Sequence, residues 1–338
     1  MKPIRRSYNG ETDLDAVHAL KQVYTTPQNI YDKPAVSDLR KLLAPITESI
    51  AFTSEKSSWQ EVLQGMSPES RHSAATQRLT ALWEDVSNQL VAYALITQPG
   101  CGLTFQIHPE VQGQGLEAEI LKWGLEQTQA IVQARGGTRE LWCRCHESEQ
   151  EYRRALEAAG FSPLPERDLR LVHAFASPPH PTSLAEGFSL KLGVTTSELD
   201  AYQELHRAVF DGMSTGMEYH QSSAYQPELD LIAVEPTGRF GAFCKCELKR
   251  VTDQQGEHLV GEVGVIGTRP ELRRKGLGQA LLLRGLRQMQ VYGATGAFLE
   301  TQESNVSAQR LFASVGFTHL STWLWYIKTV GPFSPPTS

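Results

Sequence analysis

The chain carries one stretch of sequence twice. Residues 108–121 read HPEVQGQGLEAEIL and residues 269–282 read RPELRRKGLGQALL, so that Pro109, Glu110, Gly115 and Leu116 fall on Pro270, Glu271, Gly276 and Leu277. A second match closes each half: LEAAGF ends at Phe161 and FASVGF at Phe317. The two matches are 161 and 156 residues apart and keep their order. Such paired landmarks mark an internal duplication, which restricts the chain to a fold that can be built twice. A length of 338 residues agrees with two domains at roughly 150 residues each. The segment SPPHPTS at 177–183 carries three prolines, which disfavour helix and internal strand alike. The expected division is therefore a first domain at 1–176, a Pro-rich linker at 177–186, a second domain at 187–330 and a disordered tail at 331–338.

The second copy is the easier one to read. HLVGEVGVIGT (258–268) is rich in valine and isoleucine and reads as a strand that Pro270 ends. Leu282, Leu286, Met289 and Gly293 then recur on one helical face. GAFLET (296–301) reads as a further strand, Asn305 to Phe317 as a short helix ended by Gly316, and LSTWLWYIK (320–328) as a last, largely buried strand. Apolar-alternating runs, Leu90–Ile96 and Gly241–Val251, precede the landmark in each half. Strand, glycine turn, helix, strand, helix, strand is a mixed α/β layer arrangement.

Composition narrows the function classes. Lysine plus arginine number 32 against 38 aspartate plus glutamate, a net charge of −6, which argues against a nucleic-acid or anionic-membrane surface. MKPIRRSYNG lacks an apolar leader and no run approaches the ~18 apolar residues of a membrane span, so a cytoplasmic protein is expected. Five cysteines are too few for a disulfide framework. Cys143 with Cys145, and Cys244 with Cys246, are C-x-C pairs on strands at different points of the repeat, so buried thiols are expected and no metal.

The informative segment is Arg273-Arg274-Lys275-Gly276-Leu277-Gly278. It lies between a strand and a helix N-terminus, where unpaired amides and the helix dipole attract anions and glycines admit phosphate oxygens. The spacing fits neither a Walker A loop nor the dinucleotide fingerprint. From these residues alone the segment is either a pyrophosphate cradle or a basic turn without a ligand.

The pattern Arg273-x-x-Gly276-x-Gly278 after a strand resembles the coenzyme-A loop of the GNAT N-acetyltransferase family. Asn305-x-x-Ala308-x-x-Leu311-Phe312-x-x-x-Gly316-Phe317 resembles the closing motif of that family, and the likeness spans about residues 258–328. Segment 261–279 is most similar to members with two GNAT domains in one chain. The resemblance implies an α/β protein of two tandem GNAT (acyl-CoA N-acyltransferase) domains, each a twisted mixed β-sheet flanked by helices. It implies acetyl-CoA as cosubstrate, its pantetheine arm lying between two splayed parallel strands against Val265, Ile266 and Gly267. It further implies that Arg273, Arg274, Lys275, Gly276, Leu277, Gly278 and Gln279 hold the pyrophosphate, with Asn305 and Phe312 near the thiol end. Glu262, eleven residues before Arg273, stands at the offset of the family's glutamate base. An acceptor ammonium must lose a proton before attack, which gives that carboxylate its role. Phe312 replaces the tyrosine that often protonates the leaving thiolate, and Tyr326 is a weak substitute.

The first copy departs at each of these positions. Glu117 replaces the second glycine, Gln112, Gly113 and Gln114 replace the cations, Cys101 replaces the base and Glu149 replaces the closing asparagine. Residues 1–176 thus read as a degenerate copy that supports the second. His220 is a candidate for the acceptor wall or an ordinary surface histidine, and Trp323 and Trp325 read as packing residues. Three activities stay open at this point. One is acetyl transfer to a small-molecule amine by direct attack, one is acyl-CoA sensing without turnover, and one is acetylation of a protein or peptide.

Overall fold

A computed structural model describes residues 3–9, 11–23, 79–97, 102–175, 183–210, 220, 225–253 and 256–331. Their contacts divide into two compact units. The first holds 3–168 and 321–331 of the described residues, and the second holds Leu169–Leu320.

The first unit begins with β1 (Ile4–Ser7) and helix α1 (Glu11–Val23), followed by β2 (Leu79–Glu84), β3 (Leu90–Thr97) and β4 (Gly102–Ile107). Helix α2 (Leu116–Arg135), β5 (Arg139–His146), α3 (Gln150–Ala158) and the start of β6 (Ser162–Ala174) complete its first pass. β1 to β4 pair antiparallel in sequence order, and β4 runs parallel to β5. The outer neighbour of β5 comes from the far end of the chain: β12 (Thr318–Val330) pairs antiparallel with it, from Trp323 opposite His146 to Val330 opposite Arg139. One core lies under α2 and α3, with Trp83, Ile96, Ile120, Leu121, Leu141 and Tyr326 fully buried.

The second unit repeats the plan. It contains β7 (Ser189–Leu192), α4 (Leu199–Val209), β8 (Asp230–Val234), β9 (Phe240–Asp253) and β10 (Gly256–Thr268). Helix α5 (Leu277–Val291), β11 (Ala294–Gln302) and α6 (Val306–Ser314) follow. Its strand order is β6-β11-β10-β9-β8-β7, with β10 parallel to β11 and antiparallel to β9. The helical period that placed Gly293 on the face of α5 overshoots by a turn's end. The helix stops at Val291 and Gly293 turns the chain at φ 93°. Leu281, Leu282, Leu286 and Met289 bury that face completely, each contributing about 1.5–3 kcal/mol of apolar transfer. On the opposite face, α4 covers Phe240 and Phe243 with Tyr202 and Leu205.

Each unit thus has helices on both faces of a mixed sheet, as two copies of one fold require. The closing strands do not follow the sequence halves. Residues 321–330 of β12 complete the first unit's sheet, while the Leu169–Ala174 part of β6 borders β11 in the second. The segment 176–182, most of the Pro-rich stretch, and the tail beyond Gly331 lie outside the described residues.

Candidate functional site

The site begins where two parallel strands stop pairing. β10 and β11 are in register at Leu259–Ala294, Gly261–Ala297 and Glu262–Phe298. Pairing ends there, although the strands run on to Thr268 and Gln302. Just beyond Glu262 the register of β10 with β9 shifts between Val263 and Val265, leaving Gly264 as an extra residue. Such a bulge bends a strand and re-aims its side chains. Before it Gly261 faces Met289 of α5, and after it Gly267 faces α4, where a Cβ would lie 2.5 Å from Val209 Cγ1. Val265 packs with the α4-side core and Ile266 with the α5-side core. Val265, Ile266 and Gly267 keep their ladder to Lys245, Cys244 and Phe243 of β9 on one edge. Among the described residues their other edge is not paired to β11.

From Thr268 the strand leads into the basic turn. Arg274 has φ 64° and Gly276 φ 77°, both left-handed. Glycine adopts this freely, whereas for arginine it costs roughly 1–2 kcal/mol. Arg273, Arg274, Lys275 and Gly276 are exposed, and buried Leu277 anchors the first turn of α5 in the core. No side chain caps α5 at Gly276, so its first amides and its dipole face the turn. The three cations are lightly held. Arg273 Nε donates to Thr268 O at 3.3 Å, and Lys275 Nζ lies 5.9 Å from the Phe188 ring centroid. Gln279 Nε2 donates to Ser314 Oγ at 3.2 Å, tying α5 to α6.

Glu262 is held in a row of charges that sequence reading passed over. It sits opposite Glu247 in the β9–β10 ladder, and Lys249 Nζ reaches both carboxylates, at 3.3 Å from Glu262 Oε2 and 3.0 Å from Glu247 Oε2. Lys245 Nζ takes the other Glu247 oxygen at 3.2 Å. Burial, then the charges of Glu247 and Glu300, push the Glu262 carboxyl up, and Lys249 opposes them. Against the cost of burial, Lys249 and Lys245 hold Glu247 below the usual carboxylate range. Two facing carboxylates are thus driven apart, Glu262 upward and Glu247 downward. The signal was present as CKCELK, residues 244–249, with cysteines inward and charges outward.

The closing motif is divided between capping and packing. Asn305 caps α6, its Oδ1 accepting from Ala308 N at 3.2 Å and from Ser307 Oγ at 3.1 Å. Phe312 is buried in the second unit's core, 6.0 Å between ring centroids from Phe317. Tyr326 is no substitute acid there. It belongs to the first unit's core, where its hydroxyl donates to Glu157 Oε1 at 3.3 Å and accepts from Arg153 Nε at 3.4 Å. The strand exchange carried it there. His220 is part of a buried cluster rather than the surface: its Nε2 lies 3.0 Å from Asp230 Oδ2, which also accepts from Tyr225 at 2.8 Å. Tyr202 donates to Asp230 Oδ1 at 3.1 Å. The C-x-C thiols are buried, with Cys244 and Cys246 Sγ 3.8 Å apart.

In the first unit the same turn is filled from within. Gly113 and Gly115, at φ 70° and 92°, repeat the backbone of Arg274 and Gly276. Glu117 folds back, only 6% exposed, and its Oε1 accepts from Gly113 N at 2.8 Å. A carboxylate oxygen of the chain itself therefore bonds within this turn. At the Asn305-equivalent position Glu149 accepts from His146 N at 2.8 Å. Cys101, the base-equivalent position, lies outside the described residues.

Comparison with known proteins is consistent with this geometry. Residues 199–317 match the family model described as "Acetyltransferase (GNAT) family". Mycothiol acetyltransferase of Pseudarthrobacter chlorophenolicus is 27% identical over 322 residues, covering 90% of this chain and 96% of that protein. The Streptomyces coelicolor protein of the same name is 30% identical over 227 residues, 65% of this chain and 69% of its own length. Among solved structures, a GCN5-related N-acetyltransferase from Sphaerobacter thermophilus superposes with TM-score 0.69 at 19% identity, covering 98% of this chain and 97% of that one. A tandem GNAT protein from the clavulanic acid biosynthesis pathway gives TM-score 0.69 at 14% identity, covering 98% and 99%. At those identities the two structures speak to the fold, a doubled GNAT fold across nearly the whole chain. Among the described residues no helix is long and apolar enough to cross a membrane.

Proposed function

This chain belongs to the GNAT acetyltransferase family, as a tandem member similar to mycothiol acetyltransferases, and from that premise we propose that its second unit transfers acetyl from acetyl-CoA to the primary amine of a small molecule. The observation that carries this reading is the end of β10–β11 pairing at Glu262, followed by a bulge and a strand that leads straight into the basic turn. The unpaired edge of Val265–Gly267 suits a pantetheine amide. The uncapped amides of α5 with Arg273, Arg274 and Lys275 suit a pyrophosphate.

Acetyl-CoA supplies the acyl group as an activated thioester. Glu262 takes the proton of the bound ammonium, directly or through a water, so that the freed amine forms the new C–N bond as the C–S bond breaks. A carboxyl pushed upward holds a proton better than an ordinary glutamate, which favours that step near neutral pH. Phe312 cannot donate to the departing thiolate, so solvent protonates it; a thiolate is a passable leaving group unaided. No cysteine lies among the proposed contact residues, which favours direct attack in a ternary complex. The name of the relatives, acting on mycothiol, favours a small-molecule acceptor over a polypeptide. The first unit, with its turn filled by Glu117, is a non-catalytic copy.

The test is thiol release from acetyl-CoA across a panel of small-molecule primary amines. Turnover with at least one amine, reduced about 100-fold or more in Glu262→Gln, is expected. Phe312 supports one other reading, an acyl-CoA sensor. Tight acetyl-CoA binding with no turnover on any amine would favour it.

A further inference from the structure

The row of charges on the α4 face of the second sheet holds more than the proposed base. Lys245, Glu247 and Lys249 alternate along β9, so all three project to the face that Glu262 shares. Glu247 and Glu262 are direct cross-strand partners, an arrangement of like charges that sheets ordinarily avoid. It is maintained here because Lys249 bridges the two carboxylates and Lys245 pairs with Glu247 as well. Glu262 is thus denied a lysine of its own. A carboxylate paired one-to-one with a lysine at this distance is typically 1–3 pH units more acidic than normal, which makes it a poor base.

We propose that Glu247 is a positioning residue for the acetyl-transfer site, holding Lys249 between itself and Glu262 so that Glu262 keeps the basicity that proton removal requires. The proposal rests on Glu262 as the base. Other charged and titratable groups lie on the same face. From β11 comes Glu300, ion-paired with Arg170 of β6, whose guanidinium carbon is 5.6 Å from the Phe298 ring centroid. β10 itself adds His258 on the same face, and β8 adds Asp230, opposite Lys245 in the ladder and bonded to Tyr202, Tyr225 and His220. From α4 come Tyr202 and His206, the latter stacked on Phe243 at 4.3 Å. Glu247 is then the group whose removal would leave Lys249 to Glu262 alone. Burial, Glu247 and Glu300 push the Glu262 carboxyl up, in agreement with this arrangement.

The test is a carboxyl ¹³C NMR titration of Glu262 in the full chain, its signal assigned by loss in Glu262→Gln. It is repeated in Glu247→Gln and Lys249→Met, both near-isosteric changes on partly exposed side chains. The Glu262 midpoint should fall by about one pH unit in Glu247→Gln and rise by about one unit or more in Lys249→Met. The acid limb of kcat/KM, for any amine that turns over, should move with it, which a purely structural pair would not cause. Equal midpoints in all three chains, or shifts in the same direction, would overturn the proposal. Shifts as expected, with Glu262→Gln retaining full turnover, would instead refute the base assignment and the role with it, while leaving the coupling of the two carboxylates standing.

Discussion

Gly113 and Gly115 in the first unit, and Arg274 and Gly276 in the second, take matching left-handed conformations at φ 70°, 92°, 64° and 77°. The turns that they shape nevertheless face different partners. Neither helix start has a side-chain cap, but in the second unit three exposed cations stand beside the turn. In the first, Glu117 is buried over the turn and accepts the Gly113 amide, and no cation stands on it. Duplicated backbones can therefore be kept for the fold while the side chains on them diverge, one turn carrying its own carboxylate and the proposed pyrophosphate turn carrying cations. A carboxylate in the first turn of a helix meets the same dipole as a phosphate would, and here it also takes the Gly113 amide that precedes the helix. The first turn receives a carboxylate oxygen from within the chain.

That comparison can be broken in several ways. The largest effect is expected from Gly278→Glu, which writes the first turn's carboxylate into the second. A Cβ there would meet Leu311 Cδ2 at 3.5 Å, an ordinary contact, so the fold itself admits the substitution. Acetyl-CoA affinity by calorimetry should fall at least about 100-fold, and unchanged affinity would remove the pyrophosphate assignment. Next, calorimetry on the intact chain should find one acetyl-CoA per chain, and Glu117→Gly should not add a second, because Gln112 and Gln114 bring no charge. A second tight site in the unaltered chain would show that Glu117 does not close the turn.

Arg274→Gly, which copies Gly113, separates charge from conformation. Affinity should drop roughly 5- to 10-fold with a weaker salt dependence, while unfolding stability rises by up to about 1 kcal/mol as the left-handed arginine is relieved. Stability falling instead would mean that the arginine side chain anchors the turn. The smallest effect is expected from Glu117→Ala, which removes the carboxylate that accepts the Gly113 amide. It should destabilise the first unit by about 1 kcal/mol. The described tryptophans, Trp83, Trp123, Trp142, Trp323 and Trp325, all belong to that unit, so urea unfolding followed by tryptophan fluorescence reads it selectively. No change would mean that water replaces the carboxylate at no cost.

Much of this contrast is legible in the amino-acid sequence. The strand before Pro270, the helix through Leu282 and Leu286, and the glycine turn between them follow from local periods and turn residues. The loss of cations and the gain of Glu117 are likewise visible once the copies are aligned. Asn305 was readable as part of a motif, but its local work as an α6 cap is a hydrogen bond that only coordinates display. Tyr326, a weak candidate for the missing acid, has no local signal for its place. β12 delivers it to the first unit's core.

The sequence by itself determined that the chain is one fold written twice, where each turn falls, and that the three cations stand only on the second copy's turn. These are properties of short segments, fixed by side-chain period, glycine and charge over a dozen residues. Tertiary structure decided which sheet each closing strand joins, and that Glu247, Lys249 and Glu262 share one face of neighbouring strands. Strand partnership and register are set by hydrogen bonds between segments distant in the chain. A single-residue slip would send Glu247 to the opposite face, so no local pattern could have assigned it to Glu262.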